Sequence, residues 1–233
     1  MILDYHMHLE RDDHEGSCPY TVERVRLYVE RAQARGAAEI GITEHCNRFG
    51  AFRPAMEFVL KGEPDDPFFT HSFREDLAEY VDMLLAAQRL GLPVKASIEA
   101  DYIPGEEARL REILAAHPFD YIIGSVHFLD EWPIDYSPDY GWPQADVDRA
   151  YADYFNTLAA AARSGLFDVL AHPDLVKKFG HVPSFPIDEL YDEVAKALAE
   201  AGVAAEVSSA GLRKPVGELY PSQALLERLH DRG

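Results

Sequence analysis

Short apolar runs alternating with amphipathic stretches constrain this chain more than any other feature. Runs at 2–5, 38–43, 94–99, 121–126, 167–171 and 203–208 have the length and composition of strands. Between and after them, 21–35, 73–90, 106–116, 146–164, 188–200 and 221–231 read as helices. In the first of these, Val22, Val25 and Val29 fall at helical spacing and Gly36 follows as a stop. Gly91 and Pro93 close the second, while Asp146 and Gly165 bracket the fourth. Segments 46–70, 128–145 and 173–187 read as loops. Six strand–helix units in succession predict a single α/β domain over residues 1–233, a parallel barrel.

The ends of these strands carry a distinctive chemistry. His6 and His8 end the first, His45 follows the second, Glu99 ends the third, His127 follows the fourth and His172 the fifth. In a parallel β/α architecture the carboxyl ends of the strands share one face, where loops build active sites. His6 and His8 are two apart on a strand end, so both imidazoles point to one side. His14 lies in the next loop, close enough to join them. Six histidines and one glutamate, with no thiolate among them, suit Zn, Mn or Fe. The set exceeds the needs of one tetrahedral ion, so two or three divalent metal ions are expected. Such clusters generate a hydroxide nucleophile near neutral pH and clamp the oxygens of a phosphoryl displacement. His71, His117, His181 and His230 lack this placement and read as packed or surface residues.

Charge narrows the partners. The formal net charge is −19, which argues against a nucleic-acid or anionic-membrane surface. No stretch reaches the roughly 18 apolar residues of a membrane span, and no leader-like segment opens the chain, so a cytoplasmic protein is expected. Cys18 and Cys46 are the only cysteines and imply no disulfide framework. Against this acidic background, Lys177 and Lys178 follow His172, and Arg213 and Lys214 follow the sixth strand. Arg suits bidentate anion binding and Lys supplies a point charge. These four are the expected contacts of a small phosphorylated substrate.

The motifs that hold these residues resemble those of the PHP (polymerase and histidinol phosphatase) superfamily. They are Asp4-Tyr5-His6-Met7-His8, Gly41-Ile42-Thr43-Glu44-His45, Glu99-Ala100-Asp101-Tyr102, Tyr121-Ile122-Ile123-Gly124-Ser125-Val126-His127 and Ala171-His172-Pro173-Asp174. Lys177-Lys178-Phe179-Gly180-His181 and Ala210-Gly211-Leu212-Arg213-Lys214-Pro215 resemble the histidinol-phosphate phosphatase branch. The resemblance implies a distorted (β/α)7 barrel with a di- or trinuclear metal centre. It also implies hydrolysis of L-histidinol phosphate to L-histidinol and phosphate, a step of histidine biosynthesis. Carried over by motif, His6, His8, His14, His45, Glu99, His127 and His172 are metal ligands, with Lys178, Arg213 and Lys214 on the phosphate. Two departures accompany it. Glu44 stands where the family often has Asp. The family's last strand, with an Asp-x-His pair of further ligands, has no counterpart here, so the expected domain is a C-terminally truncated barrel lacking that strand. Two rival readings remain open: a phosphoesterase acting on a nucleotide end or phosphotyrosine, and an inactive metal-binding remnant.

Overall fold

The structure, a computed structural model, describes residues 2–9 and 20–233; His14 and Cys18 lie outside the described residues. In chain order the elements are β1 (Ile2–Asp4), α1 (Val22–Gln33), β2 (Ala37–Ile42), α2 (Arg53–Met56), α3 (Pro67–Thr70), α4 (Leu77–Arg89), β3 (Val94–Ala96), β4 (Glu99–Asp101), α5 (Glu107–Ala115), β5 (Ile123–Ser125), β6 (Phe128–Leu129), β7 (Trp132–Pro133), α6 (Val147–Arg163), β8 (Val169–Leu170), α7 (Asp188–Ala201), β9 (Ala204–Ala205) and α8 (Gln223–Arg232). All six expected strand–helix units are present. Among the described residues no helix is long and apolar enough to cross a membrane.

The chain divides into two compact units, Met1–Ala100 with Ala108–Ile123, and Asp101–Glu107 with Gly124–Gly233. In the first, β1, β2 and β3 form a parallel sheet in that order. Helix α1 starts where the Thr21 hydroxyl accepts from the Arg24 amide and turns Val25, Val29 and Ala32 inward. Helix α4 begins at Leu77 rather than at 73. The Asp76 carboxylate caps it by accepting from the Ala78 and Glu79 amides, and Phe73 sits at φ +62°, outside helical space. Tyr80, Val81, Leu84 and Ala87 bury its inner face, each large apolar side chain contributing about 1.5–3 kcal/mol.

The predicted third strand is broken in two. The Ala96 amide donates to the Asp120 carboxylate (2.7 Å), a side chain in place of a ladder partner, and pairing resumes only at Glu99. Loop 46–70 holds α2, α3 and short 3-10 turns, so it is folded into tight turns rather than extended. Loop 128–145 contains the antiparallel hairpin β6–β7 and a 3-10 turn at Trp142–Gln144.

Strands β4, β5, β8 and β9 form a four-stranded sheet in that order, in which β8 and β9 pair in parallel with Val169 opposite Ala204 and Leu170 opposite Ala205. In the second unit, Asp146 caps α6 as expected by accepting from the Arg149 amide (3.1 Å). Helices α6 and α7 pack through Phe155 and Tyr191, whose rings meet edge to face at 5.2 Å. Gly202 ends α7 in the left-handed conformation (φ +68°), the usual role of glycine after a helix.

One close approach ties the first sheet to a histidine-bearing segment. Gly41 in β2 lies against Tyr121, whose hydroxyl donates to the Tyr5 carbonyl just before His6. A methyl group at Gly41 would overlap that hydroxyl and sit 3.1 Å from the Tyr5 Cα. Gly41→Ala is expected to cost about 1–3 kcal/mol by overpacking, read as a lower midpoint in chemical denaturation at unchanged slope.

Candidate metal centre

The segment after β1 is fixed by its neighbours before any ligand is considered. The Thr43 amide donates to the Met7 carbonyl (2.9 Å), and the Met7 amide donates to the Thr43 hydroxyl (3.1 Å). The Leu9 amide donates to the Glu44 carboxylate, and the Arg24 guanidinium donates to the Leu9 carbonyl (2.9 Å). His6 and His8 are thus held at both ends. Glu99 is brought to His45 by the backbone itself: its amide donates to the Glu44 carbonyl (3.1 Å), and His45 and Glu99 form an isolated parallel bridge.

The outcome is convergence on one oxygen. Glu99 Oε2 lies 3.2 Å from His6 Nε2, 3.5 Å from His8 Nε2 and 2.9 Å from His45 Nδ1. The carboxylate is fully buried and the three imidazoles are partly exposed. The His8 and His45 rings stack at 4.3 Å, 14° from parallel, and His6 meets His8 edge-on at 5.2 Å. One donor atom each from His6, His8 and Glu99 lies within 4.8 Å of the other two, a grouping that can hold a metal ion. Three ring nitrogens crowding one buried anionic oxygen is the donor chemistry of an imidazole–carboxylate cation site. Behind it, burial pushes the Glu44 carboxyl up to about 7, against the pull of the Leu9 amide and His45, and its Oε2 lies 3.9 Å from His8 Nδ1.

In the second unit, His127 and His172 are neighbours, with ring centroids 5.1 Å apart. His127 Nδ1 is 2.8 Å from Asp101 Oδ1, and both residues are buried. The His172 amide donates to Glu206 Oε2 (2.8 Å), its carbonyl accepts from the Tyr154 hydroxyl (3.2 Å), and its φ is +28°.

The expected phosphate contacts divide into two kinds. Lys177 is buried, and its ammonium meets Asp174 (2.9 Å), Glu218 (3.0 Å) and the Leu219 carbonyl (2.8 Å). Lys178 meets the carboxylate (3.0 Å) and carbonyl of Asp135. Burial works to raise the Asp135 carboxyl, but the Lys178 ammonium overcomes it and holds it down at about 2. Arg213 and Lys214 are exposed at the end of a 3-10 turn over Ala210–Arg213, and among the described residues neither forms an ion pair. The loop bearing them is closed by reciprocal amide–carbonyl bonds between Ser208 and Tyr220 and by the Val216 amide donating to the Lys178 carbonyl.

Sequence reasoning missed Asp135 and Glu206, whose roles come from long-range pairing that no local motif announces; Asp174 stood in a quoted motif without a role, and it pairs with Lys177 three residues on. Asp101 carried a readable signal, since it stands two residues after Glu99 on one strand and therefore on the same side. His181, set aside as a packed residue, stacks on Trp142 at 4.2 Å.

The model of the PHP domain family matches residues 4–210 of this chain. The chain belongs to the PHP domain family. A relative from Deinococcus radiodurans, provisionally assigned as a histidinol-phosphatase, is 38% identical over 164 residues, which are 68% of this PHP domain chain and 62% of the relative's length. The crystal structure of a protein provisionally assigned as the histidinol phosphatase hisK of Listeria monocytogenes shares the fold, with a TM-score of 0.79 at 20% identity over 99% of this chain and 91% of that one. The histidinol phosphate phosphatase of Lactococcus lactis, solved with zinc, L-histidinol and phosphate, superposes with a TM-score of 0.71 at 22% identity over 99% of this chain and 81% of that one. The α/β fold read from the alternating pattern is therefore the PHP fold.

The Lys177 network predicts a separation of stability from surface charge. Lys177→Met removes the cation from a buried pair and is expected to cost about 3–5 kcal/mol. Lys214→Ala, on an exposed turn, is expected to change stability by no more than about 0.5 kcal/mol. Urea unfolding of the two variants beside the parent checks both.

Proposed function

We propose that this PHP domain is a metal-dependent phosphomonoesterase that hydrolyses L-histidinol phosphate to L-histidinol and phosphate. The convergence of His6, His8 and His45 on the buried Glu99 oxygen carries the reading, because it is a donor set built for divalent cations. The assignments of the Deinococcus and Lactococcus relatives support the substrate. His6, His8, His45 and Glu99 in the first unit and His127 and His172 in the second are the proposed ligands. His14 is kept as a further ligand on its sequence placement. Two or three ions are proposed, with zinc favoured by the Lactococcus complex and Mn or Fe compatible with the same donors. Bound ions of this kind supply Lewis acidity and make water a nucleophile near neutral pH.

The chain's own residues do the rest. Arg213 and Lys214, exposed and uncommitted to carboxylates, take the phosphate oxygens, with the planar Arg fork fixing orientation. Lys178, held by Asp135, adds a third cation to that anion. Lys177 shares the anion-capture face in sequence, and its buried ties to Asp174 and Glu218 fix the loop from which Lys178 projects. The net charge of −19 leaves these cations as isolated positive points in a repulsive field, a pattern suited to a small phosphate ester and unsuited to a nucleic acid.

The direct test is phosphate release from L-histidinol phosphate by protein loaded in turn with Zn, Mn and Fe, beside a nucleoside monophosphate and phosphotyrosine. Selective release from L-histidinol phosphate is expected. Release from a rival ester alone points to the other phosphoesterase reading, and less than one bound ion per chain points to the remnant. Arg213→Ala is expected to raise KM by roughly 10- to 100-fold, the worth of a charged hydrogen bond, and His6→Ala to lower metal content and rate together.

A further inference from the structure

To bind a cation, His127 must present one particular ring nitrogen. A neutral imidazole carries a single N–H, and the nitrogen without it is the one that can bind a cation. Asp101 decides this in the second unit. Its Oδ1 lies 2.8 Å from His127 Nδ1, and the Ser125 hydroxyl donates to the same oxygen at 3.4 Å. Asp101 is 2% exposed and His127 is 8% exposed, so water does not compete for the contact. The backbone fixes both partners, because the Tyr102 amide donates to the Ser125 carbonyl (2.8 Å) and locks the end of β4 to the end of β5.

We propose that Asp101 is a positioning residue for metal binding, holding His127 as the tautomer protonated on Nδ1 so that Nε2 bears the lone pair for a divalent cation. The inference rests on the reading of His127 as a ligand. A carboxylate oxygen at 2.8 Å is an acceptor, which places the ring proton on the nitrogen that faces it. Contact with the anion also raises the basicity of the opposite nitrogen, which strengthens it as a ligand. Strand geometry gives a further reason for the location. Glu99 and Asp101 stand two apart on β4, so one short strand supplies a ligand carboxylate and a supporting carboxylate from the same side.

The test compares Asp101→Asn, His127→Ala and the double variant by zinc competition against a chromophoric chelator. It adds 15N NMR of the histidine rings in metal-free protein, with the His127 signals assigned by their loss in His127→Ala. The parent is expected to show His127 protonated on Nδ1. An amide can turn its NH2 group to Nδ1, so Asp101→Asn is expected to move that proton to Nε2 and weaken zinc binding by roughly 10- to 100-fold. In the His127→Ala background the same change is expected to cost nothing more. Metal-free thermal unfolding shows whether Asp101→Asn is folded, and Asp101→Ser serves as a second variant if it is not. Zinc affinity within twofold of the parent, an unchanged tautomer, or an equal loss without His127 overturns the proposal. Zinc binding unaltered in His127→Ala overturns the ligand reading and the proposal with it. Substrate identity enters none of these measurements, so failure to release phosphate from L-histidinol phosphate leaves this result standing or falling on its own.

Discussion

A single buried oxygen organises the first unit. Glu99 is shut away from water, and an isolated carboxylate in such a place is costly enough that it either takes up a proton or finds a cation. Here three imidazole nitrogens are arrayed at 2.9–3.5 Å from it. His6, His8 and Glu99 each bring one donor atom to a common spot, a grouping that can hold a metal ion. The bonds from Met7 and Leu9 to Thr43 and Glu44 fix the segment that carries His6 and His8 beyond a three-residue strand.

The lysines show how neighbouring residues of one type part company. Lys177 and Lys178 are adjacent in sequence, yet backbone geometry sends them to different partners. Lys177 is drawn inward to Asp174, a carboxyl raised by its own burial despite that cation, and to the chain leading to Tyr220. Lys178 reaches the Asp135 loop instead. Two loops distant in sequence are thereby pinned to the segment after His172, and the stretch carrying Arg213 and Lys214 inherits its position from those pins.

Much of this was legible in the residues alone. The alternation of apolar runs and amphipathic stretches located every strand–helix unit, and of the strand-end histidines His6, His8 and His45 lie against Glu99. What stayed hidden has a common physical character. The break between β3 and β4 depends on Asp120 capturing the Ala96 amide, and the late start of α4 depends on Asp76 outcompeting the apolar periodicity from Phe73 onward. The hairpin β6–β7 lies in a stretch whose prolines and aspartates spoke for irregular structure. Asp135 and Glu206 matter through partners 34 or more residues away. Local composition reports what a segment prefers, and these features are set by which distant group happens to reach it.

The backbone at His172 has a consequence of its own. A side chain at φ +28° meets a steric penalty that glycine escapes. The Glu206 carboxylate and the Tyr154 hydroxyl hold the peptide units on either side in that posture. An imidazole is thus kept at a place where the backbone works against any side chain, and the two bonds that grip it offset that local strain.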